Sequence, residues 1–396
     1  MRRLWLWALA SLVLPGCQRC SSKTAARDAG EAPLAVGTPA RAAAPAMRPL
    51  DTPQGYGLPS GCRFDGKVER AQLPEGRTRF VAARATLDAL ALAHGQTAVT
   101  SAGFVDLATR AVSDAPWAEL EAPPLMERGR AGWLAAWLDS TALGTRRALL
   151  WRGGASAEVL AEGDQLELSD VACAGDDCAI LASLVRSAAA PGASWLAGKA
   201  GAPASSWRRT DLDLGGDEPW LPLAIAGLAE GGAGWAALSS GKHVALFSVN
   251  AERAEKKQVL DAPHGAYDAT LGPEPLVIVP GDRIDRPCGA EEFPVVVLGS
   301  GGQRHELRTP APPESVIARP LAHGALVAWV APVSCQLQER RVVYLTRLDP
   351  SGAPASSPMA VADATGFALA TRGDQLSLWL ISGQELSWVR ARCPKG

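Results

Sequence analysis

Short apolar runs recur along this chain at nearly even spacing, and that recurrence limits the fold more than any single motif does. The runs cover residues 90–93 with 98–100, then 133–138, 179–185, 234–238, 276–279, 325–330 and 376–381, each bounded by Gly, Pro, Asp or Ser. Runs this short suit strands. Near-continuous apolar character suits strands buried between stacked sheets, and alternation suits strands with one wet face. The run centres fall near residues 95, 135, 182, 236, 277, 327 and 378, so the intervals are about 40 to 55 residues. A propeller blade of four antiparallel strands typically takes about 40–50 residues. The spacing therefore predicts an all-β chain folded as a β-propeller of seven blades, with six or eight left open. Two β-sandwich domains are the alternative, since they too need many short strands separated by turns. Helical character is sparse: residues 79–92 are alanine-rich, and 252–259 could form a turn or two.

The clearest single unit spans 323–361. Gly324-Ala-Leu-Val-Ala-Trp-Val reads as a buried strand, Arg341-Val-Val-Tyr-Leu-Thr-Arg-Leu as the next, and Asp349-Pro-Ser-Gly as the turn. This order resembles repeats in propeller-like lipoproteins of environmental bacteria, where a Gly-x-x-Val-x-Trp strand precedes a strand ending in Leu-Asp-x-x-Gly. A fainter copy is Gly232-Ala-Gly-Trp-Ala-Ala-Leu followed by His243-Val-Ala-Leu-Phe-Ser-Val-Asn.

Arg2 and Arg3 precede an apolar run over 4–14, about half of the roughly 20 residues that span a bilayer. A short apolar core behind a basic start reads as a signal peptide. Leu14-Pro15-Gly16-Cys17 resembles the lipobox of bacterial lipoproteins, with proline standing where alanine or serine is commoner. The resemblance implies cleavage after residue 16 and acylation at Cys17, by a diacylglyceryl group on the thiol and a further chain, such as palmitate, on the new amino terminus. Two or more chains give stable anchoring, each buried methylene contributing about 0.8 kcal/mol. Gln18 follows the cysteine where aspartate would favour the inner membrane, so the outer membrane is the expected location. Residues 17–57 are rich in Ala, Pro, Gly, Ser and charge and read as a disordered tether. A flexible coil of that length spans about 35 Å root-mean-square. Residues 58–396 form the expected propeller-like domain.

Cysteine usage agrees with export to an oxidising compartment. Cys62, Cys173, Cys178, Cys288, Cys335 and Cys393 are disulfide candidates, and Cys20 is left over in the tether. Connectivity is open, but three pairings have a rationale. Cys173 and Cys178 bracket Ala-Gly-Asp-Asp, a hairpin-like turn. Cys62 opens the folded region and Cys393 ends it, so a bridge between them would lock a propeller whose last blade borrows a strand from the opposite terminus. Cys288 and Cys335 would form the third pair. Apart from Cys17-Gln18-Arg19-Cys20, whose first thiol the lipobox claims, no C-x-x-C pair or paired histidines accompany them as a zinc site requires. Formal net charge is −2, without a long basic run, which argues against a nucleic-acid partner.

Candidate chemistry is thin. Asp211, Asp213 and Asp217 place oxygen ligands at alternate positions, as calcium loops do, without a distal glutamate. Asp282, Asp285, Glu291 and Glu292 form a second acidic loop. Thirteen tryptophans against three tyrosines are expected mainly between blades; Trp207 and Trp220, in Gly/Pro/Asp-rich loops, are the candidates for a sugar-stacking platform. His94 and His323 each precede a glycine and read as one repeated turn position. No nucleophile elbow, metalloprotease helix or P-loop occurs. The expectation is a non-catalytic binding or scaffold module of the cell envelope, without cofactor apart from a calcium candidate. Its partners would be the membrane, through the lipid, and an envelope protein or polysaccharide. A carbohydrate-binding or carbohydrate-active propeller is the alternative.

Overall fold

Turn-forming residues between the apolar runs fold the chain into successive antiparallel hairpins. The computed structural model describes residues 48–49, 57–73, 80–96, 99–106, 112–114, 124–141, 144–153, 156–185, 191–213, 215, 219–250, 252–285, 291–334 and 337–395. Within these residues the chain is all-β, and helix is limited to one 3-10 turn at Ala204–Ser206.

The strands form seven sheets of four or more strands and one two-stranded ribbon. Their first strands are Phe80–Ala85, Leu125–Gly129, Glu167–Ala174, Leu221–Leu228, Asp268–Leu271, Ser315–Leu321 and Gly366–Arg372, which number the sheets one to seven. Each first strand packs against the first strand of the next sheet, and that of sheet seven packs against that of sheet one. Seven separate sheets leave no pair of large stacked sheets such as a sandwich needs. The ribbon, Ile284–Asp285 with Glu291–Glu292, is inserted between the second and third strands of sheet five.

The core is divided into seven layers, each between two neighbouring sheets. The second strand of every sheet feeds two of these layers. In Gly324–Pro332, for example, Leu326, Ala328 and Val330 face sheet seven, while Ala325, Val327 and Trp329 face sheet five. A strand hydrogen-bonded along both edges and covered on both faces has no wet side, so its sequence is continuously apolar. Trp195, Trp329 and Trp379 are among the largest fully buried side chains, and burying each contributes about 1.5–3 kcal/mol or more. Gly324 is required where it stands: its φ is 110°, and a Cβ there would lie 2.0 Å from the Leu348 carbonyl oxygen.

Both helical expectations are overturned. Residues 80–92 contribute to a hairpin of Phe80–Ala85 and Ala89–Gln96, and 252–259 lie mostly in the strand Ala254–Asp261. Alanine favours helix in isolation. Here Ala91 and Leu90 pack on opposite faces of one strand, so small side chains serve close sheet approach and tertiary packing overrides propensity. The Thr86 hydroxyl accepts the Ala89 amide at 3.0 Å and fixes the turn.

Sheet seven is built from both ends of the folded unit. Its last C-terminal strand, Glu385–Arg392, pairs with Glu69–Gln72, Glu69 opposite Trp388 and Gln72 opposite Glu385. Arg70 forms an ion pair with Glu385 across this junction, and Arg392 Nε lies 2.8 Å from Asp65 Oδ2. A disulfide joins Cys62 to Cys393 at the same place, and a second joins Cys173 to Cys178 across the first hairpin of sheet three. Arg48–Pro49 adds a further strand outside Glu69–Gln72, so the β-structure begins before residue 58 and reaches into the segment expected to be tether.

Candidate functional site

The first strands that meet between the sheets enclose a cavity of about 730 Å³, and all seven sheets contribute to its wall. The lining comes from the C-terminal halves of these strands and the turns that follow them. Arg84, Glu127, Ala269, Ala318 and Leu369 lie deepest along their strands, while Asp88, Arg130, Gly175, Glu230 and Arg372 sit at or just past strand ends, at the mouth. The turns are laced to one another. Arg130 donates its amide to the Gly175 carbonyl at 2.8 Å, Gly231 donates its amide to Asp177 Oδ2 at 2.8 Å, and Ala322 donates its amide to the Gly373 carbonyl at 2.8 Å.

A first strand has one edge bonded within its sheet and the other turned inward, which leaves amides in need of acceptors. Two carboxylates supply them across sheet boundaries. Asp170 of sheet three accepts the Ile225 amide of sheet four at 2.8 Å, and Asp268 of sheet five accepts the Ala318 amide of sheet six at 2.8 Å. Two guanidinium groups balance these charges. Arg84 is fully engaged: Nε reaches Glu127 at 2.6 Å, Nη2 donates to the Val171 carbonyl at 2.8 Å, and Nη1 lies 3.7 Å from Asp170. Among the described residues Arg319 has partners only at Nη1, which donates to the Ala318 carbonyl at 2.7 Å and faces Asp268 at 3.5 Å.

The two arginines differ electrostatically for that reason. Burial disfavours the Arg84 charge, but Glu127 and Asp170 outweigh it and raise the pKa. Burial also disfavours the Arg319 charge, Arg84 adds repulsion, and Asp268, Asp170 and Glu127 only partly compensate, so its pKa is lowered. Burial raises the Asp268 pKa despite Arg319 and the amides it accepts. The lining thus joins charges of both signs to backbone polar groups in a space of ligand size, since small-molecule sites run about 300–1,000 Å³.

Of the described residues singled out as a ligand or metal site, none lines this cavity. Trp220 is buried between sheets three and four, with its ring 6.5 Å from His243. The Trp207 ring covers Gly198, where a Cβ would come within 2.5 Å of it. Trp220 is thus buried in the core, whereas Trp207 is only partly buried. Asp211 accepts from Ser194 at 2.9 Å and Arg209 at 2.8 Å, and Asp213 accepts the Gly215 amide at 2.8 Å. Asp217 lies outside the described residues, as do Cys17, Cys20, Cys288 and Cys335. Among the described residues no group of three or more His, Cys, Asp or Glu is placed to hold a metal ion. In the second acidic loop, Asp282 lies 3.3 Å from His264, and Asp285 and Glu291 both pair with Arg283. His323 sits in a turn, but His94 is inside a strand, so the two do not share one position. The charges at the cavity are hard to read from sequence because each stands alone. The available signal was a charged residue recurring with the blade period at 84, 127, 170, 268 and 319.

No protein-family model matches this sequence, and no curated protein matches it. Several solved structures are similar. A prolyl endopeptidase matches at 12% identity and TM-score 0.48, over 80% of this chain and 48% of that one. A puromycin hydrolase matches at 17% and 0.45, over 78% and 51%. An acylaminoacyl peptidase of Pyrococcus horikoshii matches at 10% and 0.44, over 78% and 52%. The chain therefore spans about half the length of the structures it matches. These neighbours are enzymes that carry peptidase or hydrolase names. Those names stand against two expectations, that of a non-catalytic binding or scaffold module with a carbohydrate-directed propeller as alternative, and that of a chain without enzymatic function.

Proposed function

We propose that this chain takes a short peptide, or a peptide-like amide, into its axial cavity and serves in its hydrolysis. The observation that carries this reading is the cavity itself: about 730 Å³, walled by all seven sheets, with arginines and carboxylates side by side. A peptide presents both charges at its ends and amide donors and acceptors between them, which such a wall complements group by group. The substrate class accords with the names of the similar structures, a prolyl endopeptidase, a puromycin hydrolase and an acylaminoacyl peptidase. The seven sheets are, in this reading, the blades of a closed seven-bladed propeller with the cavity on its axis. The lipobox-like sequence at 14–17 supports a lipid anchor at Cys17 in the cell envelope, with the outer membrane favoured.

The decisive test incubates the purified protein with a pool of short peptides and reads new termini by mass spectrometry. New termini, diminished by reversing the charge of the exposed Arg372 at the mouth, are expected. A pool that emerges uncut and unbound would sink the reading. Intact-mass analysis of the N-terminal peptide decides the anchor, and an unmodified Cys17 would exclude it.

A further inference from the structure

Arg84 and Arg319 line one cavity but are bound very differently. All three nitrogens of Arg84 have protein partners. In Arg319 the Nε and Nη2 groups have none among the described residues, and the side chain lines the cavity while remaining 21% exposed. Nε and Nη2 form one edge of the guanidinium plane, with two parallel N–H bonds that match the two oxygens of a carboxylate. We propose that Arg319 receives a ligand carboxylate at the inner part of the axial cavity, through this free edge.

Three further observations agree. Asp268 does not neutralise Arg319 by a close hydrogen bond, since the 3.5 Å separation is held by a carboxylate already occupied with the Ala318 and Ala269 amides. A cation left partly uncompensated in a sheltered site gains from an incoming anion. The lowered Arg319 pKa expresses the same deficit, and a bound carboxylate would reverse it. Thr270, on the neighbouring first strand of sheet five, also lines the cavity, and its buried hydroxyl has no partner among the described residues. A rotation of that hydroxyl gives a bound anion an additional donor. The proposal rests on the axial cavity being the ligand site and names which end of a peptide enters first: the carboxyl end.

Isothermal titration of the full chain with an N-acetylated tripeptide as free acid, and with its C-terminal amide, tests this. The acid is expected to bind about tenfold or more tightly than the amide, as for a bidentate charged pair. Arg319→Gln should abolish that preference, and Arg319→Lys, which keeps charge without the planar fork, should retain only part of it. The wild-type comparison does not depend on either variant folding. Equal affinity of acid and amide for the wild type overturns the carboxylate site while leaving the cavity reading intact. Failure of both to bind overturns the cavity reading with it. Succinate displacing the peptide acid at equal concentration keeps the carboxylate site and assigns it to a small acid instead of a peptide end.

Discussion

At the scale of single residues, the molecule uses side chains to supply hydrogen-bond partners that neighbouring sheets cannot exchange through their backbones. Asp177 is one example. The Gly231 amide from the next sheet holds its carboxyl below the usual carboxylate range, with Lys199 adding and burial opposing. Because the folded-state pKa is lowered, the contribution of Asp177 is fully present above the unfolded value of 3.8 and is lost as pH falls through the lower folded value. Asp177→Asn should therefore flatten the acid limb of a stability–pH curve below about pH 4 and reduce stability modestly at pH 7. Asp65, Glu255 and Asp349 also have lowered values, so a limb remains in the variant. Superimposable acid limbs for variant and wild type would contradict the assignment.

At the scale of elements, the seven apolar runs visible in the sequence fall on the second strands, 89–96, 132–140, 177–185, 234–239, 275–280, 324–332 and 375–382, except that residues 99–100 of the first run lie in the third strand of sheet one, Val99–Asp106. These strands are covered on both faces and write an unbroken apolar signal, and so do some third strands, such as Val295–Gly299, whose residues also divide between two layers. The first strands were harder to read. They carry Arg84, Glu127, Asp170, Asp268 and Arg319, whose charges interrupt the pattern and meet only when the sheets assemble. Repeat architecture was thus legible from local sequence, whereas the candidate site was not, being made of one residue from each of several distant strands. The alanine-rich hairpin of sheet one was misread as helix because propensity is local and sheet stacking is not. Layers between sheets also predict a mutational pattern. Trp195 is fully buried between sheets three and four, with its ring so close to Gly234 that a Cβ there would lie 2.9 Å away. Trp195→Ala should cost about 3–5 kcal/mol in denaturant titrations. Trp195→Phe should cost much less, because it keeps most of the packing and removes a buried indole N–H that has no partner among the described residues. A loss under about 1 kcal/mol for the alanine variant would mean that the layer can collapse around the gap.

At the scale of the whole molecule, the junction in sheet seven decides cooperativity. The bridge between Cys62 and Cys393 spans a sequence separation of 331, against 5 for Cys173 and Cys178. In the chain-entropy model the long loop is worth roughly 5–6 kcal/mol and the short one roughly 2 kcal/mol. Replacing Cys62 and Cys393 by serine should therefore lower the non-reducing unfolding midpoint far more than replacing Cys173 and Cys178. Equal losses would show that Glu69–Gln72 holds the junction without covalent help. The same junction imposes a schedule on biosynthesis. The strand Glu69–Gln72 is made before all seven first strands, yet its partner Glu385–Arg392 is the last strand to appear. At ribosomal rates of about 5–20 residues per second, that early strand waits some 15–65 s with its edge unpaired. A nascent chain that must keep one edge of this strand unspent for so long depends on whatever shields it in the interval, and a chain truncated before its last strand would leave that edge, opposite the one Arg48–Pro49 covers, with nothing to pair.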